Sequence, residues 1–204
     1  MSNLPRITGL VLAGGQSRRM GRNKALLELN GETLINLSIE RLRPQTDQLL
    51  ISTNTPLPIE SKGSEIPQLA DNLKDVGPLG GIVTGLDWLQ KHSDSEWMLT
   101  VAVDTPCFPD NLALCLWQSR QPEDLIVAAR SRTKAHPTFA LWHKSLLAPL
   151  SRFIAEDKKR RLMGFIDQQP HRYIDFDDNE VDHFNNINTP EDLIRLTQEK
   201  NTLE

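Results

Sequence analysis

Short, almost wholly apolar runs alternate along the chain with stretches whose apolar residues recur every three or four positions. Strands buried on both faces and separated by amphipathic helices leave this pattern. The first run, Ile7-Thr8-Gly9-Leu10-Val11-Leu12-Ala13, ends abruptly at Gly14-Gly15 and reads as a central strand. From Glu32 to Arg43 the residues Ile35, Ile39 and Leu42 share one helical stripe that Pro44 stops. Leu49 to Ser52 reads as the second strand, Asn54 to Ser64 as a proline-bearing loop, and Ile66 to Ala70 as a further strand. A helix is expected to begin near Gly80-Gly81 with Ile82, Val83, Leu86 and Leu89 facing inward. A strand from Trp97 to Val103 then ends at Asp104. Asp110 is placed to cap a helix running through Trp117, and Leu125 to Ala129 and Thr138 to Trp142 read as strands.

The last third predicts a helix interrupted around Pro149, a basic amphipathic stretch from Lys158 to Gln168, and a short strand from Tyr173 to Phe176. A final helix is announced by Thr189-Pro190-Glu191-Asp192, which puts a hydroxyl at the N-cap, proline at N1 and acids in the first turn. Strands alternating with helices and no internal repeat predict an α/β domain in three layers, a mostly parallel twisted sheet with helices on both faces.

Composition narrows the class. At 204 residues the chain fits one domain, expected to span 1–204. Its 38% hydrophobic and 25% charged residues exclude disorder as the main state. Lys and Arg total 23 against 27 for Asp and Glu, a net charge of −4, which argues against nucleic acid or an anionic membrane as a partner. The two cysteines, Cys107 and Cys115, are too few for a disulfide framework or a cysteine-built zinc site. The N-terminus lacks the layout of a secretory signal, and no apolar run approaches the roughly 20 residues needed to cross a bilayer. A cytoplasmic location is the expectation.

Candidate chemistry gathers in four places. Between the first strand and its helix, Leu12-Ala13-Gly14-Gly15 leads into Arg18, Arg19, Gly21, Arg22 and Lys24. Glycines permit close backbone approach and the cations suit phosphate oxygens, so this reads as a polyphosphate cradle or, more blandly, a solvated basic connection. It matches neither a Walker loop nor the Gly-x-Gly-x-x-Gly of dinucleotide folds. Asp104, at a strand end where open α/β sheets place ligands, can hold magnesium beside substrate phosphates or merely start a turn before Pro106. Asp71, with the segment Gly77-Pro78-Leu79-Gly80-Gly81, offers helix-start amides for a base edge or phosphate; a plain turn is the alternative. Phe184-Asn185-Asn186-Ile187-Asn188 offers Asn186 and Asn188 to a second, hydrogen-bond-rich ligand, or simply forms a turn. His136 lacks a partner at metal-ligand spacing. The acids of Asp175-Phe176-Asp177 alternate as in many strands, and Cys107 reads as a buried thiol.

With these residues in hand, the chain resembles the molybdenum cofactor guanylyltransferases, within the small nucleotidyltransferases. The first loop with Arg19-Met20-Gly21 and Lys24, the Gly77 to Gly81 segment, Asp104-Thr105-Pro106, His136-Pro137-Thr138-Phe139-Ala140-Leu141-Trp142 and Asn186-Ile187-Asn188-Thr189-Pro190 occur in the family's order. The Gly-Thr-Arg and Pro-Lys of sugar-phosphate nucleotidyltransferases are absent. The resemblance implies a Rossmann-like nucleotidyltransferase fold. GTP would be held by Leu12, Ala13, Gly14 and Gly15, with Lys24 on the phosphates, Asp71 on the nucleoside, Gly80 at the helix start and magnesium on Asp104. The implied reaction moves GMP from GTP to molybdenum-molybdopterin and releases pyrophosphate, with Arg19, Lys24 and the metal neutralising charge while Asn186 and Asn188 face the pterin. Other molybdenum cofactor biosynthesis proteins, and acceptor molybdoenzymes or their chaperones, would be the protein partners. Many relatives carry Asp before the lysine, where this chain has Asn23, and the group that reads the base is left unassigned. The competing readings are cytidylyl transfer to the same pterin and a nucleotide-binding adaptor without catalysis.

Overall fold

A computed structural model describes residues 4–14, 23–59, 65–71, 73, 76–132, 134–157, 159–176, 183–187 and 192. In chain order the elements are β1 (Ile7–Leu12), β2 (Glu28–Leu29), β3 (Glu32–Thr33), α1 (Leu34–Leu42), β4 (Gln48–Ser52), β5 (Gln68–Leu69), α2 (Pro78–His92) and β6 (Trp97–Ala102). These are followed by α3 (Leu112–Gln118), β7 (Ile126–Ser131), β8 (Lys134–His143), α4 (Leu147–Glu156), α5 (Leu162–Ile166) and β9 (His171–Phe176).

Seven strands form one sheet in the order β5-β4-β1-β6-β8-β7-β9. β1 pairs in parallel with both β4 and β6, β7 in parallel with β9, and β8 alone runs against its neighbours. The alternation of side chains along each strand divides the interior into two cores. Ile7 and Val11 share one with Ile35, Ile39 and Leu42 of α1 and Leu112 and Leu116 of α3. Leu10 and Leu12 share the other with Ile82 and Leu86 of α2, Leu150 and Phe153 of α4 and Phe165 of α5. The expected three layers and mostly parallel sheet are present.

Four local expectations are corrected. The helix expected from Glu32 starts at Leu34 because Glu32-Thr33 pair with Glu28-Leu29 in a hairpin, and Thr33 Oγ1 caps α1 by accepting from the Asn36 amide. The turn between them is Asn30-Gly31, with φ of 55° and 82°, the left-handed pair that a tight hairpin demands. Asp110 does not cap α3. The Ala113 amide in its first turn donates instead to Gln45 Oε1 at 3.0 Å, a group distant in sequence. Pro149 does not interrupt a helix: it is the third residue of α4, where the missing N–H has no intrahelical acceptor to lose. Of the basic stretch expected from Lys158 to Gln168, the described residues form only the five-residue helix α5, since Arg160 takes a left-handed φ of 45° and Arg161 is extended just before it. Apart from Asp192, which is helical, the helix expected from Thr189 lies outside the described residues.

The Trp142 indole N–H donates to Thr100 Oγ1 at 2.9 Å, and both residues are fully buried. Thr100→Val preserves shape but strands that N–H, and a loss of about 1–3 kcal/mol is expected from urea unfolding. Half-buried His143 caps the turn at Lys144–Leu146 by accepting the Ser145 amide on Nδ1 at 3.3 Å. Burial chiefly lowers its pKa, as do Lys144 and Arg120, while Glu96 raises it. The fold therefore favours neutral imidazole. This contribution is present above the ordinary histidine value of about 6.5 and is lost as pH falls below it, because the unfolded chain then binds more protons. His143→Asn, which can cap without titrating, should flatten the fall of the urea midpoint between about pH 7 and pH 5.

Candidate active site

The chain leaves β1 for β4 and β5 on one side, then returns through α2 to β6 on the other. The crevice between the carboxyl ends of β1 and β6 is thus the point where strand order reverses, the place where open α/β sheets bind ligands. Backbone bonds extend the strands into this edge: the Val103 amide donates to the Leu12 carbonyl at 3.2 Å and the Ala13 amide to the Ser52 carbonyl at 2.9 Å. Gly14 then emerges exposed, and among the described residues a Cβ there would meet only Ser52, at an ordinary 3.8 Å. Packing among the described residues does not require glycine at that position.

Lys24 and Asp104 meet across the crevice, with Nζ 3.2 Å from Oδ2 and each side chain little more than one-fifth exposed. Lys24 opens a short 3-10 turn whose N-cap is Asn23, its side chain accepting from the Ala25 amide at 3.1 Å. Asparagine at this departure from the family pattern is therefore a cap. Asp104 lies two residues past the end of β6, and its carbonyl accepts from the Ile187 amide at 2.7 Å. Next to it, buried Thr105 donates its hydroxyl to Oδ1 of exposed Asn186 at 2.7 Å.

A second group lies at the start of α2. The Asp71 amide donates to Asn54 Oδ1, and Asp71 Oδ1 accepts from the Leu73 amide, both at 2.8 Å. Its carboxylate packs so closely on Gly80 that any Cβ there would collide with it. This places negative charge at the helix N-terminus, where the dipole favours it. The neighbouring Gly81 ties this group to the first, since a Cβ would lie 2.5 Å from Ser52 Oγ and 2.8 Å from Leu12 Cδ2.

Of the candidate residues, Leu12, Ala13, Gly14, Lys24, Asp104 and Asn186 thus converge on one edge, with Asp71 and Gly80 beside them. Gly15, Arg19 and Asn188, like Arg18, Gly21 and Arg22, lie outside the described residues. Thr105 and Asn54 went unassigned in the sequence, although Thr105 stands next to Asp104 and Asn54 lies two residues past the end of β4. Among the described residues no group of three His, Cys, Asp or Glu side chains is gathered for a metal. A lone carboxylate still suits magnesium, which takes one or two carboxylates and completes its shell with water and substrate phosphates.

The discounted residues have structural roles. His136 is buried, lies 2.7 Å from Ser131 Oγ through Nε2, and stacks on Phe184 with centroids 4.4 Å apart. Asp175 receives Arg130 Nε and Nη2, each at 2.6 Å, and that guanidinium lowers the carboxyl pKa. Asp177 lies outside the described residues. Cys107 is half-buried rather than fully buried, and His183 Nδ1 reaches its carbonyl at 3.2 Å. Burial raises the pKa of the other thiol, Cys115.

A family model described as the MobA-like NTP transferase domain matches residues 9–172. Molybdenum cofactor guanylyltransferase from Rhodopseudomonas palustris (strain BisB5) is 38% identical over 198 residues, 95% of this chain and 93% of that protein. The protein of the same name from Yersinia pseudotuberculosis serotype O:1b (strain IP 31758) is 39% identical over 190 residues, 92% of this chain and 93% of that one. Molybdopterin-guanine dinucleotide biosynthesis protein A from Archaeoglobus fulgidus shares the fold with a TM-score of 0.74 at 23% identity, covering 96% of this chain and 99% of its own. Matched by that model across most of its length and by full-length relatives at this identity, the chain belongs to the MobA-like NTP transferase family.

Proposed function

We propose that this nucleotidyltransferase transfers GMP from GTP to molybdenum-molybdopterin as one catalytic domain, releasing pyrophosphate and forming the guanine dinucleotide cofactor. The observation that carries the reading is the Lys24–Asp104 pair at the strand-order reversal. It stands beside the chain's full-length similarity to proteins named for guanylyl transfer to the molybdenum cofactor. An oxygen of the pterin's terminal phosphate attacks the α-phosphorus of GTP, and the bond to the β-phosphate breaks with its electron pair leaving on pyrophosphate. No covalent enzyme intermediate is needed, so the work is positioning and charge neutralisation.

Residues Leu12, Ala13 and Gly14 form the floor for the triphosphate, where a missing side chain at Gly14 admits phosphate close to the backbone. Lys24 neutralises phosphate charge. Asp71 and Gly80 line the nucleoside side, and Asn186 faces the pterin. Gly15, Arg19 and Asn188 join these roles on the resemblance alone. Asp104 would hold magnesium through its carboxylate, and the bound ion would act as a Lewis acid on the phosphate oxygens. Before nucleotide arrives, the Lys24 ammonium already neutralises Asp104, so the carboxylate by itself is a poor cation site. The triphosphate would draw Lys24 to its own oxygens and would supply phosphate ligands beside water. The enzyme would work in the cytoplasm and hand its product to acceptor molybdoenzymes or their chaperones, with other molybdenum cofactor biosynthesis proteins upstream. Among the described residues no helix is long and apolar enough to cross a membrane.

Pyrophosphate release measured with molybdenum-molybdopterin, magnesium and either GTP or CTP should favour GTP, and faster turnover of CTP would overturn the guanylyl assignment. Asp104→Ala should lower the GTP rate at least about a hundredfold, as expected when a group stabilising transition-state charge is removed. An undiminished rate refutes the metal role. Lys24→Ala should weaken GTP binding by about 1.5–3 kcal/mol through loss of a charge-assisted contact. In nucleotide-free titration calorimetry the same variant should bind magnesium more tightly than the wild type, because its Asp104 is uncovered. Weaker magnesium binding contradicts the pairing argument.

A further inference from the structure

Residues 183–187 lie beyond the segment that the family model matches and lean on the chain that follows β6. His183 Nδ1 donates to the Cys107 carbonyl at 3.2 Å, the Ile187 amide to the Asp104 carbonyl at 2.7 Å, and the Thr105 hydroxyl to Asn186 Oδ1 at 2.7 Å. Phe184 anchors the segment from behind. Its ring is 1% exposed, stacks on His136, and meets Phe139 and Phe176 edge-on with centroids 5.2 Å and 5.5 Å away. The segment is thereby a strap held at both ends, and Asn186 is its exposed member.

The Thr105–Asn186 bond sets more than position. An asparagine amide offers an acceptor on one side and two N–H donors on the other, and a free one can present either. Thr105 is fully buried, and its hydroxyl proton goes to Oδ1. The carbonyl of Asn186 is thereby committed to Thr105, leaving the Nδ2 hydrogens of this exposed residue for another acceptor. We propose that Thr105 is a positioning residue which fixes Asn186 as a hydrogen-bond donor to an oxygen acceptor on the nucleotidyl-accepting substrate. This rests on the guanylyl-transfer reading, in which Asn186 lies on the acceptor side. The alternative source of that oxygen is GTP itself, and the kinetic constants for the two substrates separate the cases.

The test is steady-state kinetics on full-length wild type, Thr105→Val, Thr105→Ser and Asn186→Asp, with hydrogen exchange at the Ile187 amide as a check on the strap. Thr105→Val should raise KM for molybdenum-molybdopterin about tenfold, the worth of one hydrogen bond to a charged oxygen, and leave KM for GTP at its wild-type value. Thr105→Ser, which restores the hydroxyl, should recover the wild-type constant. Asn186→Asp keeps Oδ1 but replaces the donors with a second acceptor oxygen, so it should raise the pterin KM at least as far. Protection of the Ile187 amide in Thr105→Val should match the wild type, showing that the loss is orientation and not detachment of the strap. An unchanged pterin KM in Thr105→Val or Asn186→Asp overturns the proposal, as does a KM for GTP that rises in step. Should Thr105→Val fail to fold, Asn186→Asp decides alone. A wild type that does not turn over GTP with the pterin sinks the guanylyl reading and this inference with it, whereas an active wild type with an indifferent Thr105→Val sinks only this one.

Discussion

The pairing of β1 on both sides is the constraint from which the rest of the site follows. Its carboxyl end is locked to Ser52 on one flank and Val103 on the other, so the loops after β1, β4 and β6 must leave the sheet at the same edge. Lys24 and Asp104, 80 positions apart in sequence, are delivered to one crevice by that geometry. A slip of one residue in either pairing would send Leu10 and Leu12 to the opposite core and carry the loops out of line with each other. The register is protected because each face of β1 is buried, under α1 on one side and α2 on the other.

Charge is arranged around that crevice in matched pieces. The ion pair is partly exposed and contributes on the order of 1 kcal/mol or less to stability. In the proposed reaction its significance is electrostatic timing: a cation and a carboxylate that pair in the resting protein would both be called on once a polyanion enters. Asp71 is kept by a different device, two hydrogen bonds to nearby chain and the positive end of α2. The absent side chain at Gly80 is what lets the carboxylate sit there.

The architecture was largely legible because strands buried on both faces leave continuous apolar runs and helices leave a stripe, and both signals are local. The misread details share another character. Capping of α3 by Gln45 joins residues 68 positions apart, which no window along the chain can reveal. Pro149 looked like an interruption only because the first turn of α4 was not located, and position within the helix decides what a proline does. The Asn30-Gly31 hairpin was a local signal left unused. At the site, residue types marked Lys24 and Asp104 as candidates and the fold brings them together, while Thr105 and Asn54 bond to Asn186 and Asp71, partners that only the fold brings near. Asp175 illustrates the converse, an acidic pattern with a metal-site look that the fold commits to Arg130 across a parallel strand pair.

The strap from His183 to Ile187 also bears on how the molecule is made. The carbonyls of Asp104 and Cys107 are served by groups that leave the ribosome some eighty residues after them. The sheet around β1 can assemble while translation is still under way, but the loop bearing Asp104 lacks its clasp until residues 183–187 emerge. A nascent chain is therefore structured around β1 before that loop is fixed in place.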